Sequence, residues 1–332
     1  MCRYAMLALT ILAGGTPPPS SAPAEELSRI RQVLGDPGAT PGAVRAVLTQ
    51  AAKLKTDELV PPVAALLRRE GLPDAVREHA ATALAEIGTE TSLRALAEAA
   101  SDPKHPGAAE ARRALGRCDW DVLPRLSGLL AADGDLPVTV YQALADRCQL
   151  RRPRASDWWS DARPEQRRKE LDRFAAQLDL AAEAMAARRR LGRPRRRTDR
   201  NRFDRMTALR IDIVPAEGEP VHRYAWLAET PPQRRRGLMN VSADQLGAWG
   251  MLFVWPNRRP RTFWMKDTPV PLTVAFLDER RRILRTAAMA PKGAARTSSG
   301  VPVRYALELP SSDPAAGKLR PGDRLTITGR FR

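Results

Sequence analysis

Apolar residues recur along this chain with two different periods. From about Ala24 to Leu150 the spacing is helical: Val76, Ala80, Ala83, Leu84 and Ile87 form one stripe on a helix that Gly88 ends. From about Thr207 onward the apolar runs are short and alternate with polar residues, which is the period of strands. Between them lies an arginine-rich stretch, so the pattern predicts a multidomain α + β protein.

The helical part repeats itself. Pro41, Pro73, Pro106 and Pro137 open similar runs 32, 33 and 31 residues apart. Proline is tolerated in the first helical turn, where its missing N–H would have no partner, so each predicts a helix start. A second set of helices is marked by Ile30, Val63, Leu96 and Leu126, which fall 33, 33 and 30 residues apart. Four helical hairpins over residues 25–150 follow, and a unit of this length buries its apolar face only by stacking on its neighbours. The run Val76-Arg-Glu-His-Ala-Ala-Thr-Ala-Leu-Ala-Glu-Ile-Gly88 resembles the short HEAT repeat. The resemblance implies an α-solenoid that serves as a scaffold for a protein partner. Cys118 and Cys148 lie near the ends of successive proline-led helices, where a disulfide would need Cα atoms within about 7 Å. His79 and His105 are isolated and read as packing or surface residues.

Residues 151–205 read as a connection. Arg163 to Leu191 predicts one longer helix whose stripe of Leu171, Phe174, Ala175, Leu178, Ala182 and Met185 packs on the last repeat or on a partner, and Trp158 with Trp159 is placed to close the solenoid. From Arg188 to Arg202 the chain has too little apolar surface to offset its entropy, which predicts a flexible linker.

In residues 206–332, strands are expected at Arg210–Val214, Arg223–Leu227, Met251–Trp255, Arg261–Lys266, Leu272–Leu277, Ile283–Ala287, Val303–Leu309 and Arg324–Thr328. Thr230-Pro-Pro-Gln233 is a helix start with a capping box. The ordered series Arg236-Gly-Leu-Met239, Gly250-Met-Leu-Phe-Val-Trp255, Phe263-Trp-Met-Lys-Asp267, Pro271-Leu272, Ala275-Phe-Leu-Asp278, Tyr305-Ala-Leu-Glu308 and Pro321-Gly-Asp323 resembles domain of unknown function 192. That resemblance implies a compact, mostly antiparallel β half-barrel with short helices, frequent behind signal peptides, and no assigned activity. The family commonly has Asp after Pro-Leu and an aromatic-Arg pair after Gly-Leu-Met, where this chain has Thr273, and Asn240 with Val241.

The first 24 residues add a compartment. Arg3 followed by the apolar stretch Tyr4–Ala13 and small residues has the order of a signal peptide, with cleavage after Gly15 or Ala24. Ten apolar residues fall short of the roughly 20 that span a bilayer, so export to the periplasm or beyond is expected, with no transmembrane span in the mature chain. Cys2 precedes the apolar stretch and does not suit lipoprotein processing. The formal charge of +17 fits a polyanion partner, yet residues 151–205 alone hold 18 Lys or Arg against 9 Asp or Glu. In an exported protein that tract would meet anionic lipid or envelope polymer more readily than nucleic acid.

Candidate chemistry is sparse. No catalytic set, metal site or cofactor motif stands out, and the C-terminal part has no cysteine and only His222, so a Ser/His/Asp triad would depend on that residue. What remains is a strand with Trp264 and Lys266 on one face and Phe263 and Met265 on the other. With Asp267 and Glu308 from neighbouring segments, these are the candidate ligand-binding residues, against a competing reading of Trp264 as core. The pattern favours an exported non-enzymatic envelope protein with a partner-binding array. The alternatives are an enzyme on envelope polymer or peptide using Asp267, Glu308 or Asp323 as acid or base, and a polyanion-binding adaptor.

Overall fold

In the computed structural model, residues 22–332 are described except 133, 151–152 and 193–201. Residues 1–21 of the expected signal segment and the centre of the arginine tract lie outside the described residues, while residues 22–24 begin α1. The array comprises α1 (Ala22–Gly35), α2 (Pro41–Leu54), α3 (Val60–Arg68), α4 (Asp74–Ile87), α5 (Glu90–Ser101), α6 (Ala108–Arg117), α7 (Leu123–Leu129) and α8 (Leu136–Leu144). Helices stack in two layers, α1, α3, α5 and α7 in one and α2, α4, α6 and α8 in the other. Pro41 and Pro137 occupy first-turn positions, whereas Pro73 is the N-cap of α4 and Pro106 lies just before the N-cap of α6. The stripe Val76, Ala80, Ala83, Leu84 and Ile87 is buried, and Gly88 closes α4 in the left-handed conformation at φ 65°. A Cβ there would stand 2.7 Å from Val122 Cγ1, so the next repeat packs where only glycine fits.

Arginines fasten one helix to another. Arg69 Nη2 donates to Leu34 O at 3.0 Å, Arg112 Nε to Ala100 O at 2.8 Å, Arg125 Nη1 to Gly88 O at 2.7 Å and Arg147 Nη1 to Gly116 O at 3.2 Å. Each guanidinium meets a carbonyl near a helix C-terminus, where acceptors lack intrahelical donors and the dipole is negative. Part of the excess positive charge is therefore structural. Cys118 and Cys148 are free, buried thiols, their pKa values pushed up to about 11 and about 12, in each case chiefly by burial.

After the short α9 (Ser156–Asp161) comes α10 (Pro164–Leu191), which packs on the end of the array and also on the sheet. Toward the array, Phe174 and Trp159 set their rings edge-on to Tyr141 at 4.8 and 4.9 Å, and buried Glu170 accepts the Tyr141 hydroxyl at 3.0 Å. Between array and sheet, Gln177 Nε2 donates to Cys148 O at 2.7 Å and to Arg330 O at 2.8 Å. The flexible tract expected from Arg188 does not begin there. Arg188 is buried in the last turn of α10, donates to Met206 O at 3.0 Å and lies over the rings of Phe331 and Trp226, while Arg189 pairs with Asp121. Its aliphatic stem packs like an apolar side chain, a role that charge alone conceals.

The C-terminal part is a seven-stranded sheet in the order β6-β5-β8-β3-β2-β1-β9. Its strands are β1 (Ala208–Val214), β2 (Val221–Ala228), β3 (Gly250–Arg259), β5 (Leu272–Leu277), β6 (Ile283–Met289), β8 (Val303–Pro310) and β9 (Arg324–Phe331). All neighbours are antiparallel except β2 and β3, which are parallel and joined through α11 (Pro231–Arg236) and α12 (Ala243–Leu246). Thr230 and Gln233 form the expected capping box of α11. One face buries Leu209, Ile211, Leu252, Leu307 and Leu325 over Leu319. The other buries Trp226, Trp249, Met251 and Phe276 in a core continuous with that of α10 and the array. A separate ribbon of β4 (Thr262–Trp264) and β7 (Arg296–Ser298) packs on this second face, with Phe263 edge-on to Phe253 of β3 and Phe276 of β5 at 5.1 and 5.6 Å.

Candidate ligand-binding site on the ribbon

The alternation expected along the Phe263–Asp267 motif is present. Phe263 and Met265 are buried, Trp264 and Lys266 are exposed, and Trp264 retains 45% of its surface. Cross-strand register sets Trp264 opposite Arg296, whose guanidinium carbon lies 5.6 Å from the indole centre; Lys266 Nζ lies 5.6 Å from the same ring. One tryptophan is thus flanked by two cations.

The turn after β4 holds this arrangement. Thr268 is buried, its N–H donating to Met265 O at 3.1 Å and its hydroxyl to Lys266 O at 3.2 Å. Asn240 N donates to Asp267 O at 2.7 Å and Lys292 N to Thr268 O at 2.8 Å, so segments near residues 240 and 292 are tied to the turn. Asn240, Asp267 and Lys292 all adopt left-handed backbone, at φ 57°, 54° and 55°. That conformation is tolerable for Asn and Asp and unfavourable for Lys, so the fold maintains a shape here against local preference.

These segments enclose an open pocket of about 540 Å³ lined by Asn240, Trp264, Lys266, Asp267, Lys292 and Arg296 with Pro269, Gly293 and Ala294. Three cations face one carboxylate. Of the four residues expected to share a site, Trp264, Lys266 and Asp267 come together and Glu308 does not. Glu308 sits mid-strand on β8 between Met251 and Val274, whereas β4 pairs only with β7. Burial alone pushes the Glu308 carboxyl up to about 8, so it is a neutral acid near pH 7. Asp323 is likewise apart: it is buried and accepts Arg320 N at 2.8 Å in the turn before β9. His222 is exposed on β2.

Sequence reasoning missed Lys292 and Arg296, which lie in a Gly/Ala/Ser-rich stretch without apolar alternation. It also missed the ion pair of half-buried Arg223 with buried Asp313, at 2.9 and 2.7 Å, which ties β2 to the segment after β8. The two positions where the chain departs from the pattern of domain 192 fare differently. Asn240 lines the pocket, and Thr273 is half-buried with its hydroxyl 3.2 Å from Ser311 Oγ.

Two family models match separate parts of the chain. The family model DUF192, described as an uncharacterized ACR, matches residues 213–327, and the HEAT repeat model matches 29–116. The chain carries a DUF192 domain behind HEAT repeats. The fourth hairpin, α7 with α8, lies beyond the HEAT match. Among solved structures, a protein from Sinorhizobium meliloti 1021, provisionally assigned as a transcription regulator, is 32% identical over 36% of this chain and 93% of its own, with a TM-score of 0.33. A protein of unknown function from Novosphingobium aromaticivorans is 26% identical over 36% of this chain and 84% of its own, also at 0.33. No curated protein matches. Among the described residues no helix is long and apolar enough to cross a membrane.

Proposed function

We propose that this is an exported, non-enzymatic binding protein of the cell envelope, whose DUF192 domain takes a small anionic ligand at the Trp264 pocket while the helical array docks a protein partner. The observation that carries the ligand is the exposed indole held between Lys266 and Arg296, with Lys292 on the same pocket. An aromatic face offers a platform for a sugar or other apolar ring, and the cations take its anionic substituent. Support for the partner is the HEAT match together with an open groove of about 970 Å³ on the array, lined by both acids and arginines, among them Glu78, Glu86 and Glu110 with Arg113, Arg117 and Arg125. Such mixed charge suits a folded protein surface better than a polyanion. The Arg3 and Tyr4–Ala13 pattern is the support for export.

Thermal melts of the full chain against envelope-derived sugar phosphates, uronic acids and their neutral parents test the ligand. Anionic members should raise the melting temperature and neutral parents should not, and Arg296→Gln should remove the effect. Equal shifts by the neutral sugars would discard the anionic reading. N-terminal sequencing after fractionation of a native host tests export, which an intact cytosolic Met1 would exclude.

A further inference from the structure

The opposite face of the ribbon carries a second group of cations, around Trp255. Arg261, Phe263 and Met265 alternate with Trp264, and Phe263 meets Trp255 edge-on at 6.1 Å, so Trp255 and Trp264 lie on different sides. The guanidinium carbon of Arg261 is 4.8 Å and that of Arg234 is 5.9 Å from the Trp255 ring centre. Burial first, then the facing charges of Arg234 and Arg259, hold the Arg261 guanidinium below the ordinary arginine pKa. Burial does the same to Arg234.

Nothing anionic among the described residues offsets this repulsion. Arg234 Nη1 donates to the backbone carbonyls of Glu229 and Val254, the latter at 2.8 Å. Arg261 Nη2 donates to Asn257 O at 3.0 Å and to its side-chain Oδ1 at 2.9 Å, while Arg261 Nε is buried without an acceptor. The acid nearby in sequence to β6, Glu279, is taken by Arg258 at 3.0 Å. Elsewhere the chain matches partly buried arginines to helix-end carbonyls or carboxylates, as at Arg125 and Arg223. Here the guanidiniums of Arg234 and Arg261 share one indole, with exposed Arg259 two residues before Arg261.

We infer that Arg234 and Arg261, ordered by Trp255, form with the neighbouring Arg259 a phosphate-group site distinct from the Trp264 pocket. A carboxylate is satisfied by one guanidinium fork. A phosphate presents more oxygens and up to two charges, and so answers three guanidiniums at once. The neutral hydrogen bonds and the indole hold two forks in place before binding, which lowers the ordering cost.

The test uses the full chain with pyrophosphate, inorganic phosphate and acetate at matched ionic strength, read by calorimetry and melting temperature. Pyrophosphate and phosphate should bind and stabilise, and acetate should not. Arg259→Gln, at an exposed position, should weaken pyrophosphate binding about tenfold or more without lowering the melting temperature in phosphate-free buffer. Arg261→Lys keeps the charge, loses the fork and should weaken binding as well. Trp264→Ala and Arg296→Gln, on the other face, should bind pyrophosphate as the parent does, so failure of the Trp264 reading leaves this one standing. Sedimentation with phosphatidylglycerol vesicles, weakened by Arg259→Gln in the absence of any pyrophosphate response, would assign the phosphate to a lipid headgroup; pyrophosphate binding without vesicle binding would assign it to a soluble ligand. Absence of both responses overturns the site, as does binding that Arg259→Gln and Arg261→Lys leave unchanged or that Arg296→Gln abolishes.

Discussion

Trp226 and Trp264 stand on strands of the same C-terminal part, one in the seven-stranded sheet and one in the ribbon, each with a cation over its ring, and their surroundings differ in almost every other respect. Trp226 is fully buried, stacked on Trp249 at 4.5 Å, with Phe203 at 5.4 Å and Arg188 5.7 Å from its centre. Trp264 keeps nearly half its surface, and Lys266 and Arg296 flank it in the open. At the junction of helix and sheet the cation is also spent on a backbone carbonyl, Met206 O. On the ribbon the two cations make no hydrogen bond or ion pair with protein groups among the described residues, so aromatic and charge together remain available to something outside the chain. A cation over an aromatic ring therefore does not by itself mark a site; the solvent on the far side of it does.

The largest effect that follows is at the junction. Trp226→Ala should cost about 3 to 5 kcal/mol, because the cavity would open in a core shared by α10 and the sheet and the stack on Trp249 would be lost. Chemical denaturation of the full chain measures it. Since the core is continuous with the array, both halves should lose their cooperative transition at lower denaturant. A transition of the array unmoved by this substitution would show that the halves unfold independently in spite of their shared packing.

Legibility from sequence follows the same boundary. The stripe Val76 to Ile87 was readable because burial imposes a period on it, and a period survives without knowledge of the partner; the strand Leu272–Leu277, buried along nearly its whole length, was readable as a short apolar run bounded by Pro271 and Asp278. Arg188 was not readable, because a long cationic side chain with a buried stem looks identical in sequence to a solvated one. The ribbon was half readable. Trp264, Lys266 and Asp267 sit within one strand and its turn, whereas Lys292 and Arg296 arrive by a pairing between β4 and a three-residue strand with no apolar alternation. Glu308 was misplaced for a related reason: strand order is a property of the whole sheet, and motif proximity in sequence says nothing of whether β8 adjoins β4.

Glu308 supplies an effect of intermediate size. Its folded pKa of about 8 lies above the ordinary value of 4.5, so the folded state binds its proton more tightly than the unfolded chain. Its contribution to stability is fully present below pH 4.5 and is lost as pH rises toward 8. Glu308→Gln, which keeps the neutral shape, should flatten that part of the stability-against-pH curve and stabilise the protein at pH 8 by on the order of a few kcal/mol. Denaturant midpoints at several pH values, parent against variant, measure it. Parallel curves would mean that the carboxyl is solvated and ionised, and Glu308 would return to consideration as an acid accessible to ligand.

The smallest effect on stability belongs to Trp264 and sharpens the comparison most. Phe263 and Met265 already fill the interior side of the strand, and truncating an exposed ring leaves no cavity, so Trp264→Ala should change stability by within about 0.5 kcal/mol. The same substitution should remove the platform between Lys266 and Arg296 and abolish the shift that anionic ligands give the parent. Lys266→Ala should also be close to neutral for the fold, but it should weaken binding of a charged ligand while leaving the indole in place. Their combination separates packing from recognition. If Trp264→Ala costs as much as Trp226→Ala, the ring is packed in solution and the ribbon closes over the pocket. If both ribbon substitutions are silent in stability and only Trp264→Ala alters binding, the ligand is held through its apolar face, and the cations serve chiefly to orient the indole.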